Sequence, residues 1–521
     1  MQIKDTFHIY ILLLAAILFI SLYPASGQSI DISLPLHRSV YQRDQTSKAT
    51  VPLAVQFKNS DVRKFSYKVE KLNIVTGESP MPETIEVLNV SENGLFQADL
   101  QVNAGWHKLT IQTYAVDNSL LETNEVKFGV GEVVFSAGQS NIQGIELGSE
   151  GSPLLPGSTY DGLSLINQNC FCKKTFPFPV FEKMERGTFD TQKKIAPNGN
   201  QNLWCYEVAA RKISDDNGGI PVIFFNTAST GTSLMNWSES ADNRNAITSS
   251  PWTINCNPDV GQWGSEGAEG HPYLTLRTAL NFYGGMFGAR TVLWHQGESD
   301  KIIGTSKDTY REGLVNVINR SRQHFNSGLA WTISRVSYFP PGTSGAVIQG
   351  QEEAKNSLSN TSWGAYYSDD FTGSGVFRQS DNLHFNQAGL VALGNQIATG
   401  YYTPYGLPPG FTPLADLAPV PALATPGINV TGADGTYTLT VNGNHQSYCW
   451  VNQNGPINNC QFTTQSITVS SGKWRCYVTH TDNAPVAGHE QQNISLTRNV
   501  ELPLTHFQNS LGTGSTARII E

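Results

Sequence analysis

Residues 131–144 read GEVVFSAGQSNIQG, and within them a nearly unbroken apolar run, Val133 to Ala137, leads straight into Gly138-Gln139-Ser140-Asn141. A run of this kind marks a strand buried on both faces, as in the interior of a parallel sheet. The glycine allows a sharp turn, so a serine just beyond it stands at the carboxyl end of the sheet, where α/β proteins keep their chemistry. Ser140 is therefore the first candidate nucleophile. A serine that merely caps the next helix is the competing reading, and the rest of the chain has to decide between them.

Downstream of Gly131 strands alternate with helices. Leu203, Tyr206, Ala210 and Ile213 share a helical face, and GGIPVIFFNTA reads as a break followed by a buried strand. A helix around HPYLTLRTALNFYGG, the strand RTVLWHQ, a helix carrying Tyr310, Leu314, Val317 and Ile318, the strand LAWTIS and the helix NQAGLVALGNQIATGYY follow. Repeated βα units predict an α/β fold: a doubly wound parallel sheet between two helix layers. Upstream, stretches such as VPLAVQF and HKLTIQTYAV alternate between turn residues, which predicts an antiparallel β-sandwich. TYTLTVNG, SITVSSG and WRCYVTH alternate again near the C-terminus and predict a second, smaller Ig-like sandwich.

These patterns divide the 521-residue chain into a signal peptide (1–27), an N-terminal sandwich (28–129), a catalytic unit (130–403), a proline-rich linker (404–427), a C-terminal sandwich (428–502) and a tail (503–521). About three domains suit this length. Lys4, the apolar run Ile9–Tyr23 and the small residues ending at Gly27 predict export to the cell surface, the periplasm or the medium. The run is shorter than the roughly 20 residues a membrane-spanning helix needs, so no membrane insertion is expected after cleavage. The linker holds seven prolines. Two long stretches, 145–200 and 238–270, are rich in Gly, Pro, Asn and Ser and read as rims or lids. A net charge of −9 without basic clusters argues against nucleic acid and anionic membrane as partners. The cysteines number seven, so disulfides are possible with at least one thiol left over. Cys170-x-Cys172 lacks the usual metal-ligand spacing, and no zinc or other metal or cofactor is expected.

A serine hydroxyl needs a base within hydrogen-bond reach and a group to orient that base. SDNLHFNQAG supplies both, Asp381 three residues before His384, ahead of a helix that Asn386 can cap. Asp381 fixes the imidazole tautomer, and His384 takes the serine proton and returns it to the leaving alcohol. Acyl transfer also needs donors aimed at the developing oxyanion. Candidates are the Ser140 N–H, backbone at Gly231 in Ser229-Thr230-Gly231-Thr232, and the Gln296 side chain in VLWHQGESD. A tight turn explains Gly231 alone and a strand-end hydrogen bond explains Gln296 alone. Jointly, four strand ends deliver residues of the required types.

The order Gly138-Gln139-Ser140-Asn141, Gly231, Trp294-His295-Gln296-Gly297-Glu298-Ser299, Asp381-x-x-His384 resembles the SGNH (GDSL-like) hydrolase superfamily. More narrowly it is similar to the sialate O-acetylesterase and acetylxylan esterase group of carbohydrate esterases. The resemblance implies a serine esterase with nucleophile Ser140, base His384 and orienter Asp381, an oxyanion hole from Ser140, Gly231 and Gln296, and supporting places for Gln139, Asn141 and Glu298. The implied substrate is an O-acetylated carbohydrate. Where the group shows Trp-Gly-Gly-Thr, this chain has Ser229-Thr230-Gly231-Thr232, a departure that bears on Gly231 and on the acyl pocket. A lipase or thioesterase on the same scaffold, and a glycan-binding or adhesion protein with an inert central unit, are the rival readings. Rim segments such as NPDVGQWGSEGAEGHPY are polar and aromatic, which suits sugars better than acyl chains.

Overall fold

The strand that decides the architecture is longer than the quoted stretch. It runs without a break from Leu120 to Gly138, and its burial changes along its length. Leu120–Lys127 alternates between exposed and half-buried, whereas every residue from Phe128 to Gly138 is buried. The first part pairs antiparallel with Gly105–Tyr114, and the last part pairs parallel with Val222–Asn226 on one side and Thr291–His295 on the other. One strand thus joins the N-terminal β region to the α/β region, crossing residues 129 and 130 with its hydrogen bonding intact. The computed structural model describes residues 29–72, 82–144, 163–166, 178–183, 195–198, 204–242, 271–402, 412–433, 435–455, 459–480 and 494–505. The expected signal peptide, the tail beyond Thr505 and most of the two long rim stretches lie outside them.

The protein is a mixed α/β structure with several sheets. Its central strands lie in the order Leu163–Ile166, Val222–Asn226, Leu120–Gly138, Thr291–His295, Trp331–Ile333, Thr361–Trp363, every neighbouring pair parallel, and Phe181–Lys183 adds antiparallel at one edge. From Leu120–Gly138 the chain first builds to one side and then crosses to the other, so the strand order reverses beside Gly138. Such a reversal leaves a crevice at the carboxyl ends of the strands.

Alternate side chains of these strands enter different cores, as a strand covered on both faces requires. Val134, Phe224 and Leu293 pack with Tyr206, Ala210 and Ile213 of the helix Tyr206–Asp215 and with Leu390, Leu393 and Ile397 of the helix Gln387–Tyr402. Phe135, Phe225, Val292 and Trp294 share the other core with Trp237, Leu276, Leu314 and Val317, from three further helices. The helices Leu234–Ala241 and Gly345–Ser357 and the strand Thr361–Trp363 had not been read from the sequence.

At the far end of the sheet Glu132 is fully buried and gathers distant parts of the chain. It accepts from Arg43 Nε at 2.6 Å, Arg290 Nε at 2.7 Å and Gln42 Nε2 at 2.8 Å. Burial alone would raise its carboxyl, but Arg290 and Arg43 outweigh that and hold it at about 2. Arg290 Nη1 also donates to Leu417 O at 3.0 Å, and Ala289 and Val420 exchange backbone bonds. The second half of the proline-rich segment is thereby bonded along the α/β region. Residues 428–502 form two small antiparallel sheets, which Cys449–Cys460 crosslinks to the neighbouring loop. Arg475 and Arg498 bond Ser33 O and Val55 O, and Lys473 meets Asp31 at 2.7 Å, so this module rests on the N-terminal β region. Cys205 and Cys476 are buried thiols, and Cys170, Cys172 and Cys256 fall outside the described residues. No helix among the described residues is long and apolar enough to cross a membrane.

Candidate active site

Gly138 ends the decisive strand at φ 137°, and a Cβ there would lie 2.0 Å from His295 O. Only glycine allows both the turn and that close approach. The chain then enters a one-turn helix, Ser140–Gln143, whose N-cap is Gln139. Ser140 is thus inside the helix and does not occupy the capping position, and among the described residues its hydroxyl has no hydrogen bond. It is 3% exposed.

His384 and Asp381 stand on the loop before the helix Gln387–Tyr402, which Asn386 caps by accepting from Gly389 N at 3.1 Å. Asp381 Oδ2 lies 2.5 Å from His384 Nδ1, while its Oδ1 accepts from Leu383 N at 2.9 Å and His384 N at 3.0 Å. Partial burial pushes the Asp381 carboxyl up, but His384 and these two amides bring it down to about 2. An ionised Asp381 at Nδ1 assigns the proton to that nitrogen and leaves Nε2 as the basic one. Nε2 carries no hydrogen bond among the described residues.

Asn141 brings the two halves together. Its Oδ1 accepts from Phe385 N at 3.1 Å and its Nδ2 donates to Leu383 O at 3.2 Å, so the residue after Ser140 is bonded to both neighbours of His384. Nδ2 also donates to Glu298 Oε1 at 3.0 Å. Both amide hydrogens of Asn141 are therefore engaged, and its oxygen carries one bond. No direct bond joins Ser140 Oγ to His384, whose contact the catalytic step would tighten.

The loop after Val222–Asn226 is laced to the same place. Ser229 N donates to Gly138 O at 2.9 Å and Thr230 N to Gln143 Oε1 at 2.7 Å, and Gly231 follows at φ 70°. Ser229, where the resembling group has tryptophan, is buried and places its Oγ 3.1 Å from Nε2 of the buried His271.

Gln296 is where the geometry departs from expectation. Instead of presenting a free amide, this fully buried side chain donates Nε2 to Gln139 Oε1 at 3.2 Å, to Thr232 O at 3.1 Å and to Asp300 Oδ2, and accepts from Tyr310 OH at 2.9 Å. The three oxygen acceptors on one side and the hydroxyl on the other fix which way the amide points. Asp300 lies one helical turn beyond Gln296, so the strand end and the helix Glu298–Ile303 are locked to each other and to the Thr232 loop. Gln139 Oε1 adds a bond from Ser299 N at 3.2 Å.

Beneath these groups lie buried titratable side chains. Burial raises the Glu298 carboxyl to about 7 and lowers the imidazole of His295, whose Nε2 is 2.8 Å from Ser368 Oγ, to about 3. Arg378, Asp300 and Asp369 also belong to the site's support and were missed in the sequence. Only the position of Arg378 in VFRQSDNLHF hinted at it. Among the described residues no three His, Cys, Asp or Glu side chains are grouped as metal ligands.

A family model described as carbohydrate esterase, sialic acid-specific acetylesterase, matches residues 130–403, more than half of the chain. Similar solved structures include a carbohydrate acetylesterase from Xanthomonas citri, 14% identical over 90% of this chain and 99% of that one, with a TM-score of 0.39. Others are a protein from Arabidopsis thaliana (17% identity, 52% and 97% coverage, TM-score 0.31) and TesA (11% identity, 51% and 96% coverage, TM-score 0.27). No curated protein matches the chain.

Proposed function

The chain belongs to the sialic acid-specific acetylesterase family of carbohydrate esterases, and from that premise we propose that it removes O-acetyl groups from an exported or extracellular glycan through an acetyl-enzyme on Ser140. In this reading Ser140 Oγ attacks the acetyl carbonyl while His384 Nε2 takes its proton. The imidazolium, stabilised by ionised Asp381, returns the proton to the departing sugar oxygen. Water, deprotonated by His384, then attacks the acetyl-serine; the imidazolium returns that proton to Ser140 Oγ as the C–Oγ bond breaks and acetate leaves. The observation that carries the reading is the Asn141 clip, which bonds the residue beside Ser140 to both neighbours of His384.

The oxyanion donors assigned are the main-chain N–H groups of Ser140 and Gly231. Gln296 is assigned to holding the hole in shape, because its amide already has protein partners on every polar atom. The same reading takes the parallel sheet with helices on both faces as the doubly wound core of an SGNH-type hydrolase. The antiparallel sheets on either side serve as accessory sandwiches. The apolar run Ile9–Tyr23 and the Cys449–Cys460 disulfide support export to an oxidising compartment.

The test is acetate release by wild type and Ser140→Ala from O-acetylated sialic acids, acetylated xylan and aryl acetates. Release from a glycan by wild type, and its loss in the variant, is expected. Near wild-type release by folded Ser140→Ala, or hydrolysis confined to long-chain acyl esters, rejects the proposal.

A further inference from the structure

Arg378 shares the loop of His384 and is 2% exposed despite its charge. Its Nη1 donates to Leu383 O at 2.7 Å, its Nε to Phe371 O at 2.5 Å and its Nη2 to Ser368 O at 3.4 Å. The guanidinium lies 3.7 Å from the centroid of the Phe385 ring and 5.0 Å from that of Tyr338. The arginine thus grips both neighbours of His384, one through a carbonyl and the other through a ring. The main chain at Arg378 and Gln379 continues the grip, since Gln379 N donates to His384 O at 2.7 Å and Asn386 Nδ2 to Arg378 O at 3.1 Å.

Leu383 O is the point of convergence, because it accepts from Arg378 Nη1 and from Asn141 Nδ2. Asn141 in turn bonds Glu298, whose other oxygen, Oε2, is buried without a hydrogen-bond partner among the described residues. The carboxyl groups whose charge reaches Arg378 are Glu298, Asp369 and Asp381, with the Tyr338 phenol beside them. Asp369 is already committed to Ser337 N and Tyr338 N. Burying a guanidinium under a surface loop is costly before pairing, and an apolar side chain would fill the space more cheaply. The cation does something that apolar packing would not: five donors in a rigid plane can hold three carbonyls at once.

We propose that Arg378 is a positioning residue of the base, holding Leu383 O and the Phe385 ring so that the His384 imidazole is presented to Ser140. This rests on the reading of His384 as the base. Arg378 touches neither nucleophile nor substrate, so its loss misplaces the imidazole and leaves the sugar contacts alone. A displacement of about 1 Å at a reacting group costs on the order of 10²-fold in rate.

The experiment compares kcat, KM and melting temperature of wild type, Arg378→Lys and Arg378→Met on an aryl acetate, with Ser140→Ala as reference. Expected for folded Arg378→Met is a loss of about 10²-fold in kcat with KM within about threefold of wild type. Arg378→Lys keeps the charge but not the fork, and should recover only part of that loss. Folded variants with kcat within twofold of wild type, or a rise in KM alone, overturn the proposal. If neither arginine variant folds, Phe385→Leu decides on the same split of kcat against KM, because it removes the ring under the guanidinium. Activity in Ser140→Ala would instead reject the underlying reading of the site.

Discussion

The nucleophile half and the base half of the site are built on opposite terms. Ser140 follows a strand buried on both faces, and its neighbours Gln139, Gln296, Asp300 and Thr232 form one buried hydrogen-bonded unit. His384 and Asp381 sit on a loop at the surface, their side chains 14% and 28% exposed. The sheet places the first half, and the core would have to move to displace it. Side-chain pins place the second half, chiefly Asn141 and Arg378. A mutation on the nucleophile side should therefore disturb stability and activity together, whereas one on the base side should cut activity alone.

Removing the base gives the largest effect and the cleanest separation. His384→Ala should lower kcat by at least about 10³-fold, as loss of a triad member does elsewhere, with a melting temperature close to wild type. A large drop in melting temperature would show that the loop is part of the core after all. Next comes the clip between the halves. Asn141→Leu leaves Phe385 N without its acceptor and frees Leu383 O from one of two donors. A loss of about 10²-fold in kcat at little changed KM is expected, and unaltered kinetics would mean that the loop finds its place without the clip.

Gln296→Leu probes the buried half. It strips Asp300 of one donor and Gln139 of another, and an unsatisfied buried group costs about 1–3 kcal/mol, more when charged. The melting temperature should fall clearly, and kcat should fall with it by about tenfold. A variant as stable as wild type but 10²- to 10³-fold slower would return Gln296 to the oxyanion hole. The smallest effect on activity is expected far from the chemistry, at Glu132. Its carboxyl is held at about 2 in the folded protein, against an ordinary value of 4.5. A depressed carboxylate contributes stability that is fully present above its unfolded value and is lost as pH falls through its folded value. Wild type should therefore lose stability between about pH 4.5 and 2 by an amount that Glu132→Gln, already destabilised, no longer shows. Parallel denaturation curves for the two proteins across that range would contradict the ion network.

The halves also differed in how far they could be read from sequence. The GQSN turn and Asp381-x-x-His384 were legible because strand burial and a three-residue spacing are local properties. The commitments of Gln296 were not, because they depend on Thr232 and Tyr310, which only the folded sheet brings close. Arg378 was overlooked for a similar reason: an arginine among polar loop residues has the appearance of a solvated charge until its carbonyl partners are known. The continuity of the strand across residues 129 and 130 was not legible, since alternation stops where the second face becomes covered although the pairing continues. The helix Leu234–Ala241, with its capping box at Ser233 and Asn236, was hidden by the polar run NWSES.

The central claim is the acetyl-enzyme, and trapping it tests the claim most directly. Wild type mixed with an excess of aryl acetate, quenched in acid within the first turnovers and digested, should carry one acetyl group on the peptide containing Ser140. The label should vanish on chase with buffer and be absent from Ser140→Ala. Steady turnover with no acetyl on that peptide, or an acetyl on another side chain that forms and decays at the rate of turnover, would contradict it.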